Sequence, residues 1–157
     1  MSHPHASVLH PLARAIVCLA LIAGATAWAP AAFAQTARDD ALYQQLGGHA
    51  GLTALIDDLS LRLLEDPRTR PFFQDVDMAD FKPKMVIQFC DLAGGPCQRK
   101  GKDMKTLHSG QDISRANFNA VVEVLQFSMD ARGIPFSAQN RLLAKFGPMH
   151  RDIVNVP

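Results

Sequence analysis

The chain has 157 residues, 48% of them hydrophobic, and a formal net charge of +1. That length and apolar content suit one compact domain with a real core. The near-balanced charge argues against nucleic acid or an anionic membrane as the main partner.

The first segment in chain order reads as a leader. Residues 1–14 hold His3, His5, His10 and Arg14, and no acid. "AIVCLALIAGATA" (residues 15–27) is apolar and ends in small residues, and "APAAFAQ" (residues 29–35) spaces Ala32 and Ala34 as A-x-A. A charged start, a short apolar stretch and small residues before a cut make up a secretory signal. The stretch is shorter than the roughly 20 apolar residues of a membrane span. The alternative is an uncleaved N-terminal anchor. Cys18 stands too early in the apolar run, without the small residue before it that a lipoprotein signal requires. The expected organisation is a signal peptide over residues 1–34, cut after Ala34, and one domain over residues 35–157. The product would be exported, in the periplasm, with no membrane attachment after cleavage. Removing Arg14 leaves 15 basic and 15 acidic residues, a formal charge of zero.

The remainder reads as helices. Leu52, Leu55, Ile56, Leu59 and Leu63 recur on one face, which predicts an amphipathic helix over 50–65 that Asp66-Pro67 stops. "PRTRPFF" reads as a short turn ending in Phe72 and Phe73. Asp77 is a predicted N-cap, followed by Phe81, Met85, Gln88, Phe89 and Leu92 at helical spacing. Pro83 should bend that helix and Gly94-Gly95-Pro96 should end it. Residues 96–103 lack periodicity and read as a loop, and residues 103–108 as a short turn carrying Met104, Leu107 and His108. Ser114 is a predicted cap for Phe118, Val121, Val122, Leu125 and Met129, with Gly133 closing the helix. Ser137 is a predicted cap for the last helix, with Leu142, Leu143, Phe146, Met149 and Ile153, which Pro148 should kink. No segment alternates with period two, so the class is all-α, with four main helices plus short ones.

Motifs of the common enzyme classes are absent: no dinucleotide fingerprint, P-loop, nucleophile elbow or zincin motif is present. The absence of C-x-x-C-H argues against covalent c-type haem attachment. Asp39-Asp40 and Asp57-Asp58 are sequence neighbours, diverging by about 100° on a helix, so neither is a catalytic pair unaided. Export would favour a bond between Cys90 and Cys97, seven positions apart. Two free core thiols or metal ligands are the alternatives, though two cysteines alone make a poor zinc site. The basic run Arg99, Lys100, Lys102 and Lys105 reads either as a solvated loop or as a clamp for anionic ligand groups. His108 by itself reads equally as a satisfied core residue or as a metal ligand. A loop histidine with basic neighbours and a Phe-rich core has the parts a haem pocket needs: an imidazole, an apolar slot and cations near the propionates.

With those residues assembled, the chain resembles the truncated haemoglobins of group 1 over about residues 42–155. The resemblance rests on "LYQQLGGHAGL", "LLEDPRTRPFF", "VDM", "GGP", G-x-x-M-x-x-x-H-x-G and "GIPFSAQNRLLAKFGPMHRDIV", in that order and spacing. It implies a two-over-two helical sandwich around haem b, with His108 as proximal iron ligand and Phe73 against the porphyrin face. It further implies Arg99, Lys100 and Lys102 near the propionates, and Leu107, Ile113, Phe118 and Val122 as proximal walls. Many group 1 members carry a tyrosine and a glutamine as distal hydrogen-bond donors. Here those surroundings read Ser60, Phe81 and Met85, with Gln88 one turn further on. A missing donor weakens dioxygen retention by roughly 1.5–3 kcal/mol, about ten- to a hundredfold.

The expected function is reversible binding of a diatomic gas, oxygen by family or nitric oxide or carbon monoxide by pocket chemistry. Nitric oxide dioxygenation would need an external reductase. The expected assembly is a monomer or weak oligomer. An electron carrier or redox sensor with Met85 as sixth iron ligand is the rival reading, and a helical interaction module without haem is a second.

Overall fold

The computed structural model describes residues 39–157, so the expected leader and its cut lie outside the described residues. The described residues contain helices and no β-strand. A short helix, α1 (Ala41–Gln45), buries Leu42 and Tyr43. It turns into α2 (Gly48–Glu65) through Gly47, at φ 83°. A Cβ at position 51 would fall 2.1 Å from the Leu46 carbonyl oxygen, so glycine is what lets α1 and α2 approach this closely.

The α2 stripe behaves as its periodicity predicts. Leu52, Leu55, Ile56, Leu59 and Leu63 are all buried. Truncating such a leucine to alanine costs about 2–5 kcal/mol, enough to fix which face this helix turns inward. Asp66, extended at ψ 121°, ends the helix. "PRTRPFF" departs from the expected turn: Arg70–Phe73 forms a one-turn helix, α3, with Pro71 in its first turn, where the missing N–H costs little. The segment also finishes α2. Arg70 donates to the carbonyls of Leu64 (2.6 Å) and Glu65 (2.9 Å), and the buried Thr69 hydroxyl to that of Leu63 (2.7 Å). These partners satisfy carbonyls that a helix end leaves open.

Asp77 caps α4 (Met78–Leu92), its carboxylate accepting from the amides of Ala79 and Asp80. The helix runs on past Pro83. Gly94, at φ 81°, ends it, and Tyr43 N–H donates to the Ala93 carbonyl at 3.2 Å, joining α1 to this end. A single turn, α5 (Met104–Leu107), precedes α6 (Arg115–Ala131). Ser114 and Asn117 form a reciprocal capping box at the start of α6. Ser137 is not the cap of α7 (Phe136–Phe146): Pro135 holds that position, with no side-chain capping bond. Proline's fixed φ starts this helix, and Gln139 donates to Asp130 of α6 (2.8 Å) and to the Ile134 carbonyl in the connecting segment (2.9 Å). Around Pro148 the helix tightens into a 3-10 turn, Gly147–Met149, before α8 (His150–Ile153).

The core lies between α2, α4, α6 and α7. The α2 stripe meets Val86, Phe89 and Cys90 of α4, Val124, Leu125 and Met129 of α6, and Ala138 and Leu142 of α7. α2 packs on both α4 and α6, and α6 on α7, which makes the two-over-two sandwich.

Candidate functional site

The segment expected to carry the proximal ligand starts in the loop after α4. Arg99 donates its backbone N–H to the Asp91 carboxylate at 3.3 Å, and its guanidinium donates to the Lys102 carbonyl. Arg99 therefore braces the loop, while Lys100 and Lys102 stay exposed with no ion pair among the described residues. Asp103 caps α5, accepting from the Thr106 amide at 2.7 Å, and that bond holds its carboxyl below the usual carboxylate range. The cap makes the turn that presents His108 at its C-terminal end.

His108 is half-buried, and its Nδ1 lies 2.8 Å from the Met104 carbonyl oxygen. A carbonyl only accepts, so Nδ1 carries the proton and the Nε2 lone pair is left for a ligand. This is the tautomer a metal-ligating histidine needs. The ring is one ligand only. Among the described residues no group of three His, Cys, Asp or Glu could hold a bare metal ion. A single imidazole fits a metal whose remaining ligands come with a macrocycle.

Leu107 is 45% exposed, Ile113 is buried, and Phe118 and Val122 are half-buried. Phe118 meets the His150 ring edge-on, with centroids 5.0 Å apart. Two residues here escaped the sequence reading. Asn155 donates to the His108 carbonyl at 2.7 Å and accepts from the Ile113 amide at 2.8 Å. It lies 47 positions from His108 in the sequence, so no local pattern announces it. His150 is the second, since its place in the last helix does not announce its contact with Phe118.

On the other side, Phe73 and Phe81 meet edge-on with centroids 5.7 Å apart, and both are half-buried, as is Met85. Phe73 and Met85 pack on the buried core. Ser60 is buried, and its hydroxyl donates to the Ile56 carbonyl at 2.7 Å. That proton is spent within the helix, so Ser60 is no ready donor to a ligand. Gln88 is only 7% exposed, and its Oε1 is buried without a partner. Cys90 and Cys97 have sulfurs 2.08 Å and Cα atoms 5.7 Å apart, joining the end of α4 to the loop before α5. Two surface hollows lie elsewhere, one lined by Leu42, Leu92 and Arg141, the other by Arg115, Asn119 and Val156. Neither is lined by a histidine, so neither competes with His108 as a ligand site.

The model of the bacterial-like globin family matches residues 41–155. Group 1 truncated hemoglobin GlbN of Mycolicibacterium paratuberculosis is 30% identical over 112 residues, 71% of this chain and 82% of that protein. The chain belongs to the group 1 truncated hemoglobins. A Synechocystis relative of the same description is 30% identical over 120 residues, covering 73% of this chain and 97% of its own. The Fe(III) truncated hemoglobin of Tetrahymena pyriformis superposes with a TM-score of 0.70 at 25% identity, covering 73% of this chain and 97% of that one. Membership implies a haem cofactor and binding of a diatomic gas. The residues present fit that group. This truncated hemoglobin offers an imidazole with a free Nε2, two edge-on phenylalanines and exposed lysines beside the histidine turn.

Proposed function

We propose that this truncated hemoglobin is an exported haem b protein that binds nitric oxide or carbon monoxide more readily than it stores dioxygen. His108 carries the reading: Nδ1–H is held by the Met104 carbonyl, so Nε2 is set to ligate iron. Haem, when bound, supplies a metal centre that takes a small gas reversibly. The chain supplies the pocket. Phe73 and Phe81 offer flat apolar surface, Lys100 and Lys102 offer cations for the propionates, and Met85 fills space beside them. Dioxygen in such a pocket carries partial negative charge and is retained by donors; nitric oxide and carbon monoxide depend on them less. The spent Ser60 proton and the thioether of Met85 leave Gln88 as the remaining amide on the distal side.

Export rests on the leader sequence and accords with a Cys90–Cys97 disulfide in an oxidising compartment. Any nitric oxide dioxygenation would draw electrons from an external reductase. Stopped-flow dissociation rates on the ferrous protein test the gas assignment. Fast dioxygen release with slow nitric oxide release is expected, and slow dioxygen release would contradict it. A ferrous spectrum that Met85→Ala converts from six- to five-coordinate would instead favour an electron carrier. Thiol labelling of the exported protein should find no free cysteine, and two reactive equivalents would contradict the bonded pair.

A further inference from the structure

The turn that presents His108 cannot support itself. α5 has four residues, too short to persist as an isolated helix. The chain beyond it, Ser109 to Asp112, is exposed, with Gly110 at φ 73° and Asp112 at φ 51°. It bonds back to the turn through the Gln111 side chain, which donates to the Leu107 carbonyl at 3.1 Å, but its bond to the His108 carbonyl itself, from Gln111 N–H, is long at 3.4 Å. The firm contact to that carbonyl comes from Asn155 Nδ2 at 2.7 Å.

We propose that Asn155 is the positioning residue of the proximal histidine, clamping the His108 carbonyl to the Ile113 backbone so that the ring keeps its bond to Met104. The clamp uses both ends of one amide. Nδ2 donates to His108, and Oδ1 accepts from Ile113 N–H at 2.8 Å. The backbone doubles it: Asn155 N–H (3.0 Å) and Val156 N–H (3.3 Å) both donate to the Ile113 carbonyl. α8 brings this tail into place, and its first residue, His150, is seated edge-on against Phe118. The Met104 carbonyl accepts from both the His108 amide (3.1 Å) and Nδ1 (2.8 Å). A rotation of the His108 peptide therefore disturbs the ring directly. Only a side chain that both donates and accepts closes this bridge. Aspartate keeps the acceptor for Ile113 and sets a carboxylate against the His108 carbonyl.

The role in iron ligation rests on the haem reading, and the test separates the two. In the haem-loaded protein, Asn155→Asp and Asn155→Ala should each speed haem transfer to excess apomyoglobin by about tenfold, the size of one lost hydrogen bond. Both should also shift or broaden the ferrous iron–histidine stretching band in resonance Raman spectra. Val156→Ala, whose backbone bond survives, should leave both readouts unchanged. In the apoprotein, ¹⁵N spectra should find His108 held as the Nδ1–H tautomer, and Asn155→Asp should mix the tautomers. Unchanged stretching band, haem transfer and tautomer in both Asn155 variants would overturn the clamp, even if their melting temperatures fell. Failure of the wild-type chain to take up haem would sink the haem reading alone, and the apoprotein spectra would still decide the clamp.

Discussion

On the proposed haem reading, Ser60 and Met85 set what the ligand side offers, and each can be tested alone. Because the Ser60 hydroxyl already donates to Ile56, Ser60→Ala should change the dioxygen dissociation rate by less than about twofold, well under a full ligand hydrogen bond. Met85→Gln adds an amide donor beside Phe73 and Phe81, and should slow dioxygen release by about ten- to a hundredfold. Stopped-flow traces check both, and a large effect of Ser60→Ala would mean the hydroxyl turns toward the ligand. Gln88 holds a buried acceptor without a partner. Gln88→Leu removes that unsatisfied group at similar volume and should raise stability by about 1 kcal/mol in urea unfolding. A loss of stability would show that the amide is satisfied in solution. At this scale the sequence is legible where spacing carries the information, and spacing singles out His108 as the candidate ligand. It is silent on where a hydroxyl proton goes, and on Asn155, because both depend on partners that only the folded backbone brings near.

The helices make the next set of commitments. The α2 and α4 registers follow from apolar spacing and from the Asp77 cap, both local signals that the fold retains. α3 escaped the sequence because its four residues are too few for a period, and its stability comes from Arg70 and Thr69 reaching back to α2. Ser137 misled because a serine near a helix start resembles a cap, while Pro135 two positions earlier had already fixed the entry. The Asp103 cap on α5 gives a pH dependence. Its folded carboxyl is held below the usual range by the Thr106 amide, so its contribution is complete above about pH 4 and is lost as pH falls through the lowered value. Asn also caps helices but does not titrate. Asp103→Asn should therefore unfold with a shallower acid limb than wild type below about pH 4, and parallel limbs in thermal melts would contradict this. The Cys90–Cys97 link closes a loop of seven positions. Replacing both cysteines by serine should cost about 2–3 kcal/mol on the chain-entropy account, read by urea unfolding of the oxidised protein, and no change would argue that the link is absent in solution.

Across the whole molecule, periodicity, caps and stop signals were enough to read an all-α chain with four main helices. Their two-over-two arrangement followed from family resemblance, because helix-on-helix contacts are not written in any one segment. The architecture matters because it divides the residues of the proposed haem site between separate elements. Phe73, Phe81 and Met85 come from α3 and α4, while His108, Phe118 and Val122 come from the α5 turn and α6. These side chains stay half-buried, whereas the α2 stripe behind them is closed. A flat apolar cofactor would complete that burial. The direct measurement is a haem titration of the purified apoprotein followed by absorption, for wild type and His108→Ala. A Soret band that saturates at an equimolar ratio is expected in wild type, with loss of the histidine-ligated spectrum in the variant. An unchanged spectrum in His108→Ala, or no uptake by wild type, would contradict the haem reading.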